Sequence, residues 1–310
     1  MNRCPLSYEP CATIYSARGL KFFSRNLKDL QPLPFTAAEL RLEAGIRAEK
    51  MSIQGVQPKL SARLRIKQQD FVIVDKGGTF ILKPQTVDYP EVPENEDLSM
   101  RLASSVAIEV PLHGLIYGKD GALTYCVKRF DRHGQQGKYH VEDFAQLAGQ
   151  FRDTKYGSSM EKVAHLLETY CTFPAVEKLK LFRLTIFNYL IGNEDMHLKN
   201  FSIITKDNVV KLAPAYDLVN TTIILPRAKE ELALPLNGKK NNLHRSDFVG
   251  YFGKERLDLS AKVIVDVLSS FSRVRKIWDD LIECSFLSPV MKEKYHRVIE
   301  DRFDKIIGAD

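Results

Sequence analysis

Two aspartates, Asp195 and Asp217, bracket most of the stretch GNEDMHLKNFSIITKDNVVKLAPAYDLVN (192–220), with His197 and Asn200 between them. Phosphoryl transfer needs such a set. One carboxylate accepts or orients the proton of an attacking hydroxyl, a second holds Mg²⁺ against the phosphates, and an amide or imidazole completes the shell. Taken singly, each residue also has a plainer role: Asp195 capping a turn, His197 as a satisfied polar side chain, Asp217 in a solvated loop.

Elements of the right kind flank these residues. In VEKLKLFRLTIFNYLI (176–191) the spacing puts Leu179, Phe182, Ile186 and Leu190 on one helical stripe, and Gly192 stops the helix. FSIIT (201–205) and VVKLA (209–213) read as strands around a turn at Lys206, Asp207 and Asn208. A hairpin there returns both aspartates to the same end. Upstream, Ser52, Gly55 and Lys59 form a short loop before a strand in which Leu60, Ala62, Leu64 and Ile66 alternate with Ser61, Arg63 and Arg65. One glycine and one lysine have neither the Walker spacing nor the three glycines of a protein-kinase loop, so a hairpin turn fits them equally. FVIV (71–74), Gly77, Gly78 and TFILK (79–83) continue the antiparallel sheet and end on Lys83, where phosphate binding needs a charge. PENEDLSMRLASSVA (93–107) reads as a helix that offers Glu96 as the partner of Lys83. An edge-strand lysine and a first-turn carboxylate are the alternative readings of this pair.

In order, SIQGVQPKL, FILKP, NEDLSMRLA, VKRFDR, GNEDMHLKNFSI and LAPAYDLVN resemble the HipA family of bacterial toxin kinases. LPFTAAELR (33–41) and LALPLNGKKNNL (232–243) extend the resemblance over nearly the whole chain. The likeness is closest to HipT, the short toxin of three-gene HipBST modules, because the chain begins where longer HipA proteins have already completed a small N-terminal subdomain. Those modules make that subdomain separately, as HipS.

The resemblance implies an α+β, two-lobed protein-kinase-like fold with ATP and Mg²⁺ as cofactors. It implies Asp195 as catalytic base with His197 beside it, Asn200 and Asp217 as Mg²⁺ ligands, and Lys83 on the ATP phosphates. Gly55 and Lys59 belong to the loop over the phosphates. VKRFDR (127–132) resembles the hinge, where backbone near Lys128 and Phe130 meets adenine; a plain inter-lobe strand with a basic end is the alternative. Ser52 matches the serine that these kinases autophosphorylate. A phosphate there adds about −1.5 to −2 charge over the nucleotide phosphates and acts as an off switch. The implied partners are a small antitoxin resembling HipS, a DNA-binding antitoxin resembling HipB, and an aminoacyl-tRNA synthetase substrate, the tryptophanyl enzyme first. DNA is reached only through the antitoxin. Two positions depart from the family: Gln54 stands where some short relatives have a second serine, and Lys128 where long HipA proteins have an acidic residue.

Composition bounds the rest. The 310 residues suggest about two domains, and 44% hydrophobic content suffices for two cores. We expect a β-rich N-terminal lobe over 1–133 and a mostly helical one over 134–310, with helices in SAKVIVDVLSSFSRV and MKEKYHRVIEDRFDKII as scaffold. No stretch approaches the ~18 apolar residues of a membrane span, and MNRCPLSYEPC lacks a signal region, so a cytoplasmic enzyme is expected. Five scattered cysteines, at 4, 11, 126, 171 and 284, fit a reducing compartment; Cys4 and Cys11 lack a second pair at zinc-ligand spacing. A net charge of 45 − 39 = +6, spread along the chain, permits an acidic partner and selects none. Two other functions fit the same residues. One is a nucleotide-binding pseudokinase acting as co-repressor, against which the intact Asp195, Asn200 and Asp217 argue; the other is a small-molecule kinase.

Overall fold

The computed structural model describes residues 2–48, 57–134, 137–149, 157–225 and 230–308. The chain divides into two compact units, and the division is not a single cut. The first comprises Met1–Leu98, Pro111–Gln136 and Cys284–Ser288; the second comprises Ser99–Val110, Gly137–Glu283 and Pro289–Asp310.

The first unit opens with β1 (Asn2–Arg3) paired to β2 (Pro10–Cys11), followed by α1 (Ala17–Phe23) and α2 (Ala37–Ala48). Ser16 starts α1 by accepting from the Gly19 N–H, which satisfies one of the donors a helix leaves open at its N-terminus. Next come β3 (Leu60–Arg65), β4 (Asp70–Ile73), β5 (Phe80–Pro84), α3 (Val92–Ser105), β6 (His113–Tyr117) and β7 (Leu123–Lys128). The strands form one antiparallel sheet in the order β4-β3-β5-β7-β6, so β5 is the central strand. Phe80 of β5 stacks on Phe23 at 6.0 Å and meets Phe71 edge-on at 5.1 Å, joining α1 and the sheet in one core.

The expected alternation along β3 holds only toward its end. Arg63 and Arg65 are exposed, but Leu60, Ser61 and Ala62 are all buried. The reason is Gly78: a Cβ there would lie 1.9 Å from Ser61 Oγ, so backbone packs directly over the face that Ser61 presents. Two-residue strands β8 (Arg132–His133) and β9 (Gly137–Lys138) follow at the division between units.

The second unit carries β10 (His140–Asp143), α4 (Phe144–Leu147), α5 (Met160–Tyr170), α6 (Pro174–Ile191), β11 (Ser202–Lys206), β12 (Val209–Leu212), α7 (Ala261–Cys284) and α8 (Pro289–Ile306). β10, β11 and β12 form an antiparallel sheet. Asp207 and Asn208, with φ of 51° and 62°, make the tight turn between the last two strands, a geometry that Asn and Asp tolerate.

α6 begins with Pro174 in its first turn and ends at Gly192, whose φ of 77° is left-handed. Its buried residues do not form a single stripe. From Leu181 to Ile191 only Arg183 escapes burial, while Leu179 is half-buried. α5, α8, β12 and the π-helical segment Asp247–Arg256 all pack on it, leaving no solvent face over these turns. Trp278 of α7 sits edge-on to Phe187 (5.8 Å) and Phe271 (6.0 Å), and its indole N–H donates to Ser105 Oγ at 2.8 Å. All five cysteines are free thiols. Among the described residues no helix is long and apolar enough to cross a membrane.

Candidate active site

In the first unit, β5 delivers Lys83 into the interior, where it is 3% exposed. Its Nζ donates to Glu96 Oε1 at 2.6 Å and lies 5.6 Å from the centre of the Tyr125 ring, directly across the ladder on β7. An ammonium buried this deeply requires a paired carboxylate, and removing one partner from such a pair costs about 3–5 kcal/mol. The next residue of α3 makes a second attachment: Asp97 Oδ1 meets His113 Nδ1 of β6 at 2.7 Å. Adjacent acidic residues therefore pin one helix to two strands of the sheet. Lys59 is half-buried at the entrance to β3, while Ser52 and Gly55 lie outside the described residues. Lys128 is exposed and Phe130 half-buried. The Lys128 N–H donates to Leu112 O (2.7 Å) and the Arg129 N–H to Thr79 O (2.9 Å), so protein carbonyls occupy these two donors beside Phe130.

In the second unit, Asp195, His197 and Asn200 lie on the segment between α6 and β11, and Asp217 follows β12. A relay of buried amides fixes the first of these. Asn188 Nδ2 donates to Leu184 O within α6 (2.9 Å), Asn193 Nδ2 to Asn188 Oδ1 (2.8 Å), and the Asp195 N–H to Asn193 Oδ1 (3.1 Å). The Asp195 carbonyl then accepts from the His197 N–H and from Asn200 Nδ2, both at 2.8 Å. Asp195 itself is exposed, whereas His197 and Asn200 are buried. Because the Asn200 NH₂ is turned into backbone, the remaining polar atom of its amide is the oxygen, the ligand that Mg²⁺ takes. Asp217, half-buried, holds φ at 54°, a left-handed conformation that Asp tolerates better than most non-glycine residues.

The segments bearing Asp195 and Asp217 are joined through groups that sequence reading did not single out. Thr221 Oγ1 accepts from the Glu194 N–H (2.7 Å) and donates to Gly192 O (3.1 Å), and the Thr222 N–H donates to the same carbonyl (3.1 Å). The Thr222 hydroxyl donates to Glu194 Oε1 (2.7 Å), while Arg302 of α8 reaches Thr222 Oγ1 (3.2 Å), Tyr189 O (2.8 Å) and, more loosely, Glu194 Oε1 (3.5 Å). Burial pushes the Glu194 carboxyl up, opposed by the Thr222 hydroxyl and the Arg302 guanidinium. A Cβ on Gly192 would lie 2.6 Å from Thr222 Oγ1 and 2.8 Å from Asn220 Oδ1, so the approach of the two segments, as well as the backbone angle, requires glycine. The segments bearing Asp195 and Asp217 are thus laced together. Asn188 and Asn193 had one sequence signal, amides amid an apolar helix and at its end; Arg302, a charge among many on a surface-patterned helix, had none.

Within the second unit the residue types suit a divalent cation: an Asn200 amide oxygen and an Asp217 carboxylate, with an exposed Asp195 on the same segment as Asn200.

Residues 51–283 match the HipA-like C-terminal domain. The chain is 32% identical over 317 residues to a Haemophilus influenzae protein whose name provisionally assigns it to the kinases, covering 90% of this chain and 91% of that protein. It is 25% identical over 267 residues to the serine/threonine-protein kinase toxin HipA of Shewanella oneidensis, covering 79% of this chain but 59% of the toxin. Among solved structures, Shewanella oneidensis HipA, in its complex with HipB and operator DNA, matches with a TM-score of 0.70 at 23% identity, covering 91% of this chain and 73% of that one. The Helicobacter pylori proinflammatory kinase CtkA matches with a TM-score of 0.54 at 19% identity, covering 74% and 88%. At these identities the structural likeness is one of fold: the chain has the α+β, kinase-like architecture.

Proposed function

The chain belongs to the HipA-like family, and from that premise we propose that it is an ATP- and Mg²⁺-dependent serine/threonine protein kinase acting as the toxin of a toxin–antitoxin system. The observation that supports this reading is the lacing of the two segments of the second unit, which joins the stretch bearing Asp195 and Asn200 to the stretch that follows Asp217. Asp195 accepts or orients the proton of the substrate hydroxyl, with His197 beside it. Asn200 and Asp217 hold the cation. Mg²⁺, when bound, neutralises charge on the transferring phosphoryl group and its leaving oxygen. Lys83, oriented by Glu96, binds the nucleotide phosphates; Gly55 and Lys59 belong to the loop over them, and backbone near Lys128 and Phe130 receives adenine.

The same reading assigns Ser52 as an autophosphorylation site that turns the enzyme off, since a phosphate there repels those of ATP. It assigns an aminoacyl-tRNA synthetase as substrate, the tryptophanyl enzyme first, with translation arrested once phosphate enters the synthetase's own nucleotide loop. A HipB-like antitoxin supplies DNA binding, as HipB accompanies HipA on operator DNA in the Shewanella complex, and a small HipS-like protein is the second neutralising partner.

The test is incubation of the purified protein with γ-labelled ATP, Mg²⁺ and a panel of purified synthetases, with phosphosites read by mass spectrometry. Label on the tryptophanyl enzyme and on Ser52 is expected. Label on another synthetase redirects the target. Nucleotide binding without any transfer makes the chain a pseudokinase, and transfer only to small molecules removes it from the protein kinases.

A further inference from the structure

We infer that the Tyr216 hydroxyl is the positioning group that sets the two proposed cation ligands, Asn200 and Asp217, at a fixed mutual geometry; this rests on the function proposed above. Tyr216 is the residue before Asp217. Its hydroxyl donates to the carbonyl of Lys199, the residue before Asn200, at 2.9 Å. It also lies 2.5 Å from Ser202 Oγ. A phenol has one proton, and that proton goes to Lys199 O, so Ser202 is the donor in the second bond. One hydroxyl from beside one ligand is therefore gripped on both sides of the other.

The backbone shows why a tether is needed there. Pairing between β11 and β12 continues one step past the named strands, with the Ala213 N–H donating to Ser202 O at 2.8 Å. Pro214 follows and has no N–H to give, and the Ala215 N–H turns away to Glu109 O at 2.7 Å. The ladder is thus lost before Asp217, which nonetheless holds a left-handed φ of 54°. On the other side, Asn200 closes the short 3₁₀ turn Leu198–Asn200, whose backbone carries only a single turn's worth of internal bonds. Through the Lys199 carbonyl, the Tyr216 hydroxyl joins that turn to the residue preceding Asp217. Two oxygens that share one small, geometrically demanding cation tolerate little error in their separation. The hydroxyl acts on the cation through these neighbours, without touching it.

The experiment is calorimetric titration of the wild type, Tyr216→Phe and Tyr295→Phe with the β,γ-imido analogue of ATP over a series of Mg²⁺ concentrations, with thermal unfolding measured in parallel without nucleotide. Tyr295→Phe is the control for losing a buried hydroxyl: Tyr295 is fully buried in the same unit and bonds Ser99 Oγ at 2.8 Å. Tyr216→Phe is expected to raise the half-saturating Mg²⁺ concentration at least fivefold. Analogue affinity at saturating Mg²⁺ should stay within twofold of the wild type, and the melting temperature should fall no further than in Tyr295→Phe. Ser202→Ala should shift the Mg²⁺ dependence in the same direction by less. A wild-type Mg²⁺ dependence in Tyr216→Phe, or an equal shift in Tyr295→Phe, overturns the inference alone. Absence of Mg²⁺-dependent binding in the wild type overturns the functional reading and the inference with it.

Discussion

Asp195 and Asp217 are both aspartates on segments that share a hydrogen-bond network, yet their settings demand different work and so different mutant phenotypes. Asp195 is exposed, its backbone N–H is held by Asn193, and the proposed function gives its carboxylate the substrate proton; Asp217 is half-buried with a left-handed backbone and is proposed to hold the cation. Asp195→Asn should lower kcat by about 10²–10⁴-fold, the usual scale for a general base, with nucleotide affinity nearly unchanged. Asp217→Asn should instead raise the Mg²⁺ needed for nucleotide binding. Stopped-flow turnover and calorimetry on both variants separate the two, and equal losses of binding would dissolve the division of roles. Sequence suffices to propose this quartet of polar residues, because chemistry restricts their types and they cluster there. What holds them is not legible at that level. Arg302 meets Thr222 and Tyr189 only after α8 has folded back over many intervening residues, and Tyr216 reads in sequence as one more aromatic beside a strand.

At the scale of elements, α3 shows a helix whose acidic residues take three different environments. Glu96 and Asp97 are paired to Lys83 and His113. Glu94, on the same helix, has its carboxyl pushed up to about 7, by burial first and then by the neighbouring charges of Glu91 and Asp97. Its folded pKa thus lies above the ordinary 4.5, so the folded state binds this proton more tightly than the unfolded chain does. The resulting stability is fully present below pH ~4.5 and is lost as pH rises through about 7. Glu94→Gln should remove that loss, making the variant more stable than the wild type at pH 8 by roughly 3 kcal/mol while the two converge near pH 4. Denaturant unfolding at several pH values checks this, and parallel stability profiles would show that Glu94 does not carry the effect. Sequence pattern found α3 and α6 from local signals such as apolar spacing and the stop at Gly192. It misjudged how much of α6 is covered, because a stripe in the sequence records a helix's own apolar face and not the number of elements packed against the others.

For the whole molecule, the division into two units depends on contacts that no local signal reports. α3 is one uninterrupted helix, yet its first half belongs to the first unit and its second half to the other. Cys284–Ser288 joins the first unit across most of the chain length: Phe286 meets the Tyr8 ring at 5.5 Å and the Ser288 N–H donates to Glu91 Oε2 at 2.6 Å. A single boundary, such as one near 133, has no means of expressing this. The division can itself be tested, since each unit carries its own reporter. Trp278 is the chain's one tryptophan and lies in the second unit, so its fluorescence reports that unit's unfolding. Amide exchange of β5 reports the first. Without nucleotide the two denaturant profiles should not coincide, as expected for units with separate cores. The ATP analogue with Mg²⁺ at 100 times its Kd should raise the Trp278 transition by about 2.7 kcal/mol, because unfolding the second unit destroys the cation site proposed at Asn200 and Asp217. A Trp278 transition unmoved by the ligand, with the β5 profile as reference, would mean that those two residues take no part in binding.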